Sequence, residues 1–160
     1  MEQKETNVNH VINSILDYGD QKIKEYEAKM ARSTIKKLII IKGEPNVGKT
    51  SVCRCILHIL ISDGAIVLDN KDPEYKGDFT VKLSYKGIKV AICSMGDQFS
   101  AVEKNIMTHK DCDVVIVASR NFVTFGKILC DRTSIHTKVR SDYGGLVSFA
   151  KNIVADIMQI

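Results

Sequence analysis

Between the apolar run Leu38-Ile39-Ile40-Ile41 and a second apolar run that begins at Val52 stand Lys42 and the nine residues Gly43-Glu44-Pro45-Asn46-Val47-Gly48-Lys49-Thr50-Ser51. This string constrains the chain more than any other. Four consecutive apolar residues leave no polar face, which predicts a buried strand over 36–41. "TSVCRCILHILIS" predicts a helix over 50–62, well buried because it is apolar nearly all round, and Asp63-Gly64 supplies its stop. The string therefore turns a strand into a helix. Glycines at its first and sixth positions allow dihedrals in which successive main-chain N–H groups point inward. The helix that follows presents unpaired N–H groups and the positive end of its dipole, which together favour an anion. Lys49 adds a full positive charge beside them.

The pattern is G-x-x-x-x-G-K-[ST], and on it the chain resembles the P-loop nucleoside triphosphatases, a superfamily of kinases, GTPases and ATPases. The resemblance runs from Lys36 to about Arg120. It implies a nucleoside triphosphate held with Mg2+: the loop amides of Gly43 to Ser51 and the ammonium of Lys49 on the phosphates, and the hydroxyl of Thr50 on the metal. Such a site also needs an acid, and in open parallel sheets ligands sit at the carboxyl ends of the strands. Asp69 ends "AIVLD", Ser94, Gly96 and Asp97 end "KVAICSMGD", and Ser119 and Arg120 end "VVIVASR". Asp97 is the first candidate for the metal-side acid and Asp69 the second. In many relatives the acid directly follows the apolar run, and here Ser94 holds that place. GTPase relatives carry D-x-x-G there, and Cys93 stands where that aspartate falls. Arg120 is the best placed of the late basic residues (with Lys127, Arg132, Lys138 and Arg140) to cap a transferred phosphoryl group. Asp111 and Asp113 begin their strand and are expected to be structural. The guanine-reading N-K-x-D string is absent: "ASRNF" occupies its place. ATP is therefore the expected nucleotide.

The remaining pattern predicts one α/β domain over 1–160: a three-layer fold on a mostly parallel sheet of about five strands, with an antiparallel hairpin strand at an edge. Apolar residues from Val8 to Met30 recur at helical spacing, which predicts a helix over 7–31 that Gly19 weakens. "FTVKLSY" alternates, and Lys86-Gly87 turns it into "KGIKVAICS", a hairpin. Ser100 and Glu103 read as a capping box. The core spans 36–120. Residues 121–141 read as a lid or loop segment with a strand near Ile135 to Val139, and 142–160 form a closing helix whose stripe is Leu146, Phe149, Ala150, Ile153, Val154 and Ile157.

Charge and cysteines narrow the function classes. The net charge of +4 is mild and dispersed, so nucleic acid is the least favoured partner. Cys53, Cys55, Cys93, Cys112 and Cys130 contain no C-x-x-C pair and mostly lie in apolar runs, so they read as core residues in a reducing compartment. The four histidines show no metal-ligand spacing. No basic-then-apolar leader is visible and no apolar run reaches the roughly 18 residues of a membrane span, which makes the cytoplasm the expected location. Two functional classes stay open: a small kinase-like phosphotransferase acting on a small-molecule acceptor, and an ATPase or nucleotide-dependent switch acting on a protein partner. A nucleic-acid-associated ATPase stands third.

Overall fold

The computed structural model describes residues 19–21, 24, 35–71, 77–95, 99–120 and 132–160. Six strands and three longer helices follow in chain order: β1 (Lys37–Lys42), α1 (Lys49–Ser62), β2 (Ile66–Lys71), β3 (Thr80–Tyr85), β4 (Ile88–Cys93), α2 (Phe99–Thr108), β5 (Val114–Ser119), β6 (Thr133–Thr137) and α3 (Tyr143–Ile157). They build one sheet in the order β2-β3-β4-β5-β1-β6. β4, β5, β1 and β6 are mutually parallel, whereas β3 runs antiparallel to both β4 and β2.

Alternate residues of β1 feed two cores. Ile39 and Ile41 pack with Val52, Ile56 and Leu60 of α1 and with Ala150, Ile153 and Ile157 of α3. Leu38 and Ile40 pack with Val102 and Ile106 of α2 on the other face. A strand sandwiched in this way must be apolar throughout, which is why the run carries no alternation. The layered α/β architecture is thus present, with helices on both faces.

Several local expectations hold. Lys86 and Gly87 both have positive φ (48° and 82°), the geometry of a two-residue hairpin turn whose twist matches its strands. Phe79, Val81, Leu83 and Tyr85 are all buried on one face. Gly64, at φ 97°, ends α1. The closing helix expected over 142–160 is α3, Tyr143–Ile157, and there the Asp142 carboxylate, not singled out in the sequence, caps it by accepting from the Gly145 amide at 2.8 Å.

Others are corrected. The sheet has six strands rather than about five, the sixth being β6 inside the segment read as a lid. The antiparallel strand lies one position in from the edge, because β2 adds outside it. β2 itself runs on to Lys71 and is exposed throughout, with Ile66 at 66% and Leu68 at 51%. Helix α1 buries one face only: Ser51, His58, Ile61 and Ser62 are exposed. Ser100 lies in the first turn of α2 rather than at its cap. Gly19 is helical, as are Asp20, Gln21 and Lys24, which leaves the expectation that it weakens the helix untouched. The rest of the 7–31 helix and all of 121–131 lie outside the described residues. Among the described residues, no helix is long and apolar enough to cross a membrane.

Candidate functional site: the head of helix α1

β1 delivers the chain to the carboxyl edge of the sheet, where the Gly43 amide donates to the Ser119 carbonyl of β5 at 3.0 Å. Gly43 is required by space. A Cβ there would stand 2.7 Å from the Lys138 carbonyl and 2.9 Å from Val47 Cγ2. Gly48 is required by conformation, at φ 100°, and Asn46 also takes a positive φ of 63°. Gly48 is the N-cap of α1 and offers no capping side chain, and the first turn holds no acidic residue. The leading amides of a fourteen-residue helix therefore face the loop without an internal carboxylate.

Lys49 is only 7% exposed. Its ammonium turns back onto the loop, donating to the carbonyl oxygens of Gly43 and of Glu44 (3.3 Å). Beside it lies a cavity of about 350 Å³ lined by Asn46, Gly48, Lys49, Thr50, Ser51, Asp78 and Ser94. Of the loop residues expected to bind, Glu44, Pro45, Asn46 and Ser51 are exposed, while Val47, Gly48 and Thr50 are half-buried.

Two of these lining residues come from the hairpin. Ser94 directly follows β4, as its place in the sequence implies. Asp78 was not foreseen, and it arrives by strand pairing. The register Thr80↔Cys93 sets the start of β3 against the end of β4, so a residue preceding β3 reaches the same edge as a residue following β4. Thr50 Oγ1 donates to Asp78 Oδ1 at 3.0 Å, and Ser94 Oγ donates to the same oxygen at 3.2 Å. The segment is fastened on both sides. Phe79 N donates to Ser94 Oγ (2.8 Å) and Ser94 N to Phe79 O (3.0 Å), while Arg54 donates to Gly77 O at 2.9 Å and lies 4.7 Å over the Phe79 ring.

The other candidates fall as follows. Asp97 lies outside the described residues, as do Gly96 and Lys127. Asp69 sits in the edge strand β2 opposite Lys82, with β3, β4 and β5 between it and β1, and it does not line the cavity. Arg120 follows β5 at the correct edge of the sheet but is not among the residues lining the cavity. Two of the late basic residues do reach the loop. Lys138 N donates to Lys42 O at 2.7 Å, and Arg140 donates to Asn46 O at 3.4 Å. Asp113 and Asp111 are structural, as expected: the first accepts from Lys89 N at 2.8 Å and the second pairs with Lys82 at 3.1 Å.

The site offers hard oxygen donors. Thr50 and Asp78 suit Mg2+, which takes one or two protein oxygens and keeps waters elsewhere. Among the described residues, no cysteine lines the cavity. Cys53, Cys93 and Cys112 are buried, and burial pushes the Cys93 thiol up to about 12 and the Cys112 thiol up to about 11. Neither is a thiolate at neutral pH. Among the described residues, no group of three His, Cys, Asp or Glu could hold a metal ion. No family model matches the chain, and no curated protein or solved structure matches it.

Proposed function

We propose that this protein binds a nucleoside triphosphate, ATP by preference, together with Mg2+ at the head of α1, and transfers its γ-phosphoryl group to a small-molecule acceptor. The observation that carries the reading is the convergence of a buried lysine, uncapped helix amides, and a hydroxyl–carboxylate pair on one polar cavity. Each group has a task. The amides of Gly48 to Ser51 receive phosphate oxygens along the helix axis. The Lys49 ammonium exchanges its loop carbonyls for the β- and γ-phosphate oxygens, a stronger, charge-assisted pairing. Thr50 and Asp78 hold the metal side. Bound Mg2+ supplies positive charge where the transferred group develops negative charge. Phosphoryl transfer asks a protein chiefly for positioning and charge stabilisation, and these groups provide both. Arg120 and Arg140 are the candidates for closing over the γ-phosphate from the β5 and β6 sides.

A nucleotide-driven switch acting on a protein partner is the second reading. It is favoured by β2, an edge strand that leaves Ile66, Val67 and Leu68 exposed at 66%, 43% and 51%. An open apolar edge of this kind is a template for an added strand. β2 pairs with β3, whose leading end carries Asp78, so an edge partner and the cavity share one hairpin.

Following phosphate release from Mg·ATP, with and without an extract of small metabolites, separates the two. Transfer that requires the extract supports the phosphotransferase. Steady release without it supports the switch. Neither release nor transfer under both conditions would remove the chemistry and leave a binding protein.

A further inference from the structure

We infer that Asp78, the residue leading into the antiparallel strand β3, is the metal-side carboxylate of this site, with Ser94 as its positioning residue. The inference deepens the triphosphate reading and rests on it. The position directly after β4 is where an acid is expected, and a neutral hydroxyl, Ser94, occupies it. Ser94 is 3% exposed, and its hydroxyl accepts from Phe79 N at 2.8 Å while its one proton has two acceptors in reach, Asp78 Oδ1 at 3.2 Å and Phe79 O at 3.3 Å. The serine thus supports a carboxylate brought in from the neighbouring strand.

The spacing of the two oxygen donors fits the ion. Mg2+ holds oxygens at about 2.0–2.1 Å at right angles to one another, so adjacent ligand oxygens stand about 2.9 Å apart. Thr50 Oγ1 and Asp78 Oδ1 are 3.0 Å apart. Without metal, the threonine proton bridges that gap. With metal bound, Thr50 Oγ1 and Asp78 Oδ1 would be the protein oxygens that hold it, and the threonine proton would turn outward. Little has to move, because Asp78 is held through its neighbours. Arg54 grips the Gly77 carbonyl, and Ser94 and Phe79 exchange two hydrogen bonds. Asp78 itself remains exposed on the cavity side. Preorganised donors with supporting hydrogen bonds are what a small octahedral ion demands.

One titration tests this. A fluorescent ATP analogue is titrated into the full chain in EDTA and again in excess Mg2+. For the unaltered chain, Mg2+ should tighten binding by about tenfold or more, an ordinary size for coupling between two ligands. Asp78→Asn keeps an Oδ1 acceptor for Thr50 and Ser94 at an exposed position, so the fold persists, and a melting curve verifies this. It should still bind the metal-free analogue but show at most about a twofold gain from Mg2+. Ser94→Ala should lose part of the gain, since removing a supporting partner costs about 10–100-fold in metal affinity. A full metal gain in folded Asp78→Asn overturns the assignment while leaving triphosphate binding intact. An unaltered chain that binds the analogue equally well with and without metal also overturns it. No binding of any triphosphate by the unaltered chain overturns the functional reading itself.

Discussion

Strand β1 has a buried lysine near each end. Lys37 opens it and Lys49 follows it at the head of α1, and both are 7% exposed. Their surroundings differ. Lys37 pairs with the Asp156 carboxylate, and it also donates to the carbonyls of Asp156 (3.1 Å) and Gln159 (3.3 Å). His136 Nε2 contacts the second oxygen of the same carboxylate at 2.8 Å. The charge at this end is answered from within, by the last turn of α3. Lys49 donates to Gly43 and Glu44, main-chain carbonyls of its own loop, beside a polar cavity. Carbonyl dipoles hold an ammonium less firmly than a carboxylate does, and phosphate can displace them. On the proposed function, equal burial marks a staple at one end of the strand and a phosphate-binding group at the other.

The contrast breaks most visibly at the staple. Asp156→Ala leaves Lys37 buried without its carboxylate and should cost about 3–5 kcal/mol in denaturant unfolding. Triphosphate affinity should stay within about twofold, since the lesion lies at the opposite edge of the sheet. Next in size is Lys49→Ala, which should remove most of the roughly 2.7 kcal/mol that ligand at 100 times its dissociation constant supplies. Its effect on the ligand-free protein should be far smaller than that of Asp156→Ala. A ligand-free loss as large as that of Asp156→Ala would make Lys49 a staple too.

Smaller again is Gly48→Ala. A methyl group at φ 100° should cost about 1–2 kcal/mol and weaken triphosphate binding by tilting the leading amides. The smallest effect is on pH dependence. Burial opposes ionisation of Asp156, but its hydrogen bonds from Lys37 and His136 outweigh this and hold the carboxyl below its ordinary range. A depressed carboxyl stabilises the fold fully above its unfolded value, about 3.9, and the gain is lost as pH falls from there through the folded value. Urea midpoints taken down through that window should fall more steeply for the unaltered chain than for Asp156→Asn.

The sequence announces the groups whose meaning is local. Spacing alone locates Gly43, Gly48, Lys49 and Thr50, because loop, charge and helix head are contiguous. Alternation locates the hairpin and the buried face of β3, and a 3.6-residue stripe locates α3. What stays hidden depends on pairing between distant segments. Asp78 sits in "KGDF", which reads as loop, and nothing local says that the Thr80↔Cys93 register will carry it to Thr50. A search of strand carboxyl ends passes over it, since it precedes its strand. An antiparallel strand, however, begins where its parallel neighbours end. β2 depends on pairing too: "AIVLD" reads as a short strand, and only the sheet order places Ile66-Val67-Leu68 on an exposed edge. β6, "TSIHT", carries too little apolar pattern to be bounded from sequence.

If the head of α1 grips a triphosphate with its metal, saturating Mg·ATP must raise the temperature of thermal unfolding. At 100 times the dissociation constant, the melting midpoint should rise by roughly 5–10 °C, and Lys49→Ala should abolish most of the rise. An unchanged midpoint with Mg·ATP and with every other nucleoside triphosphate would contradict the account.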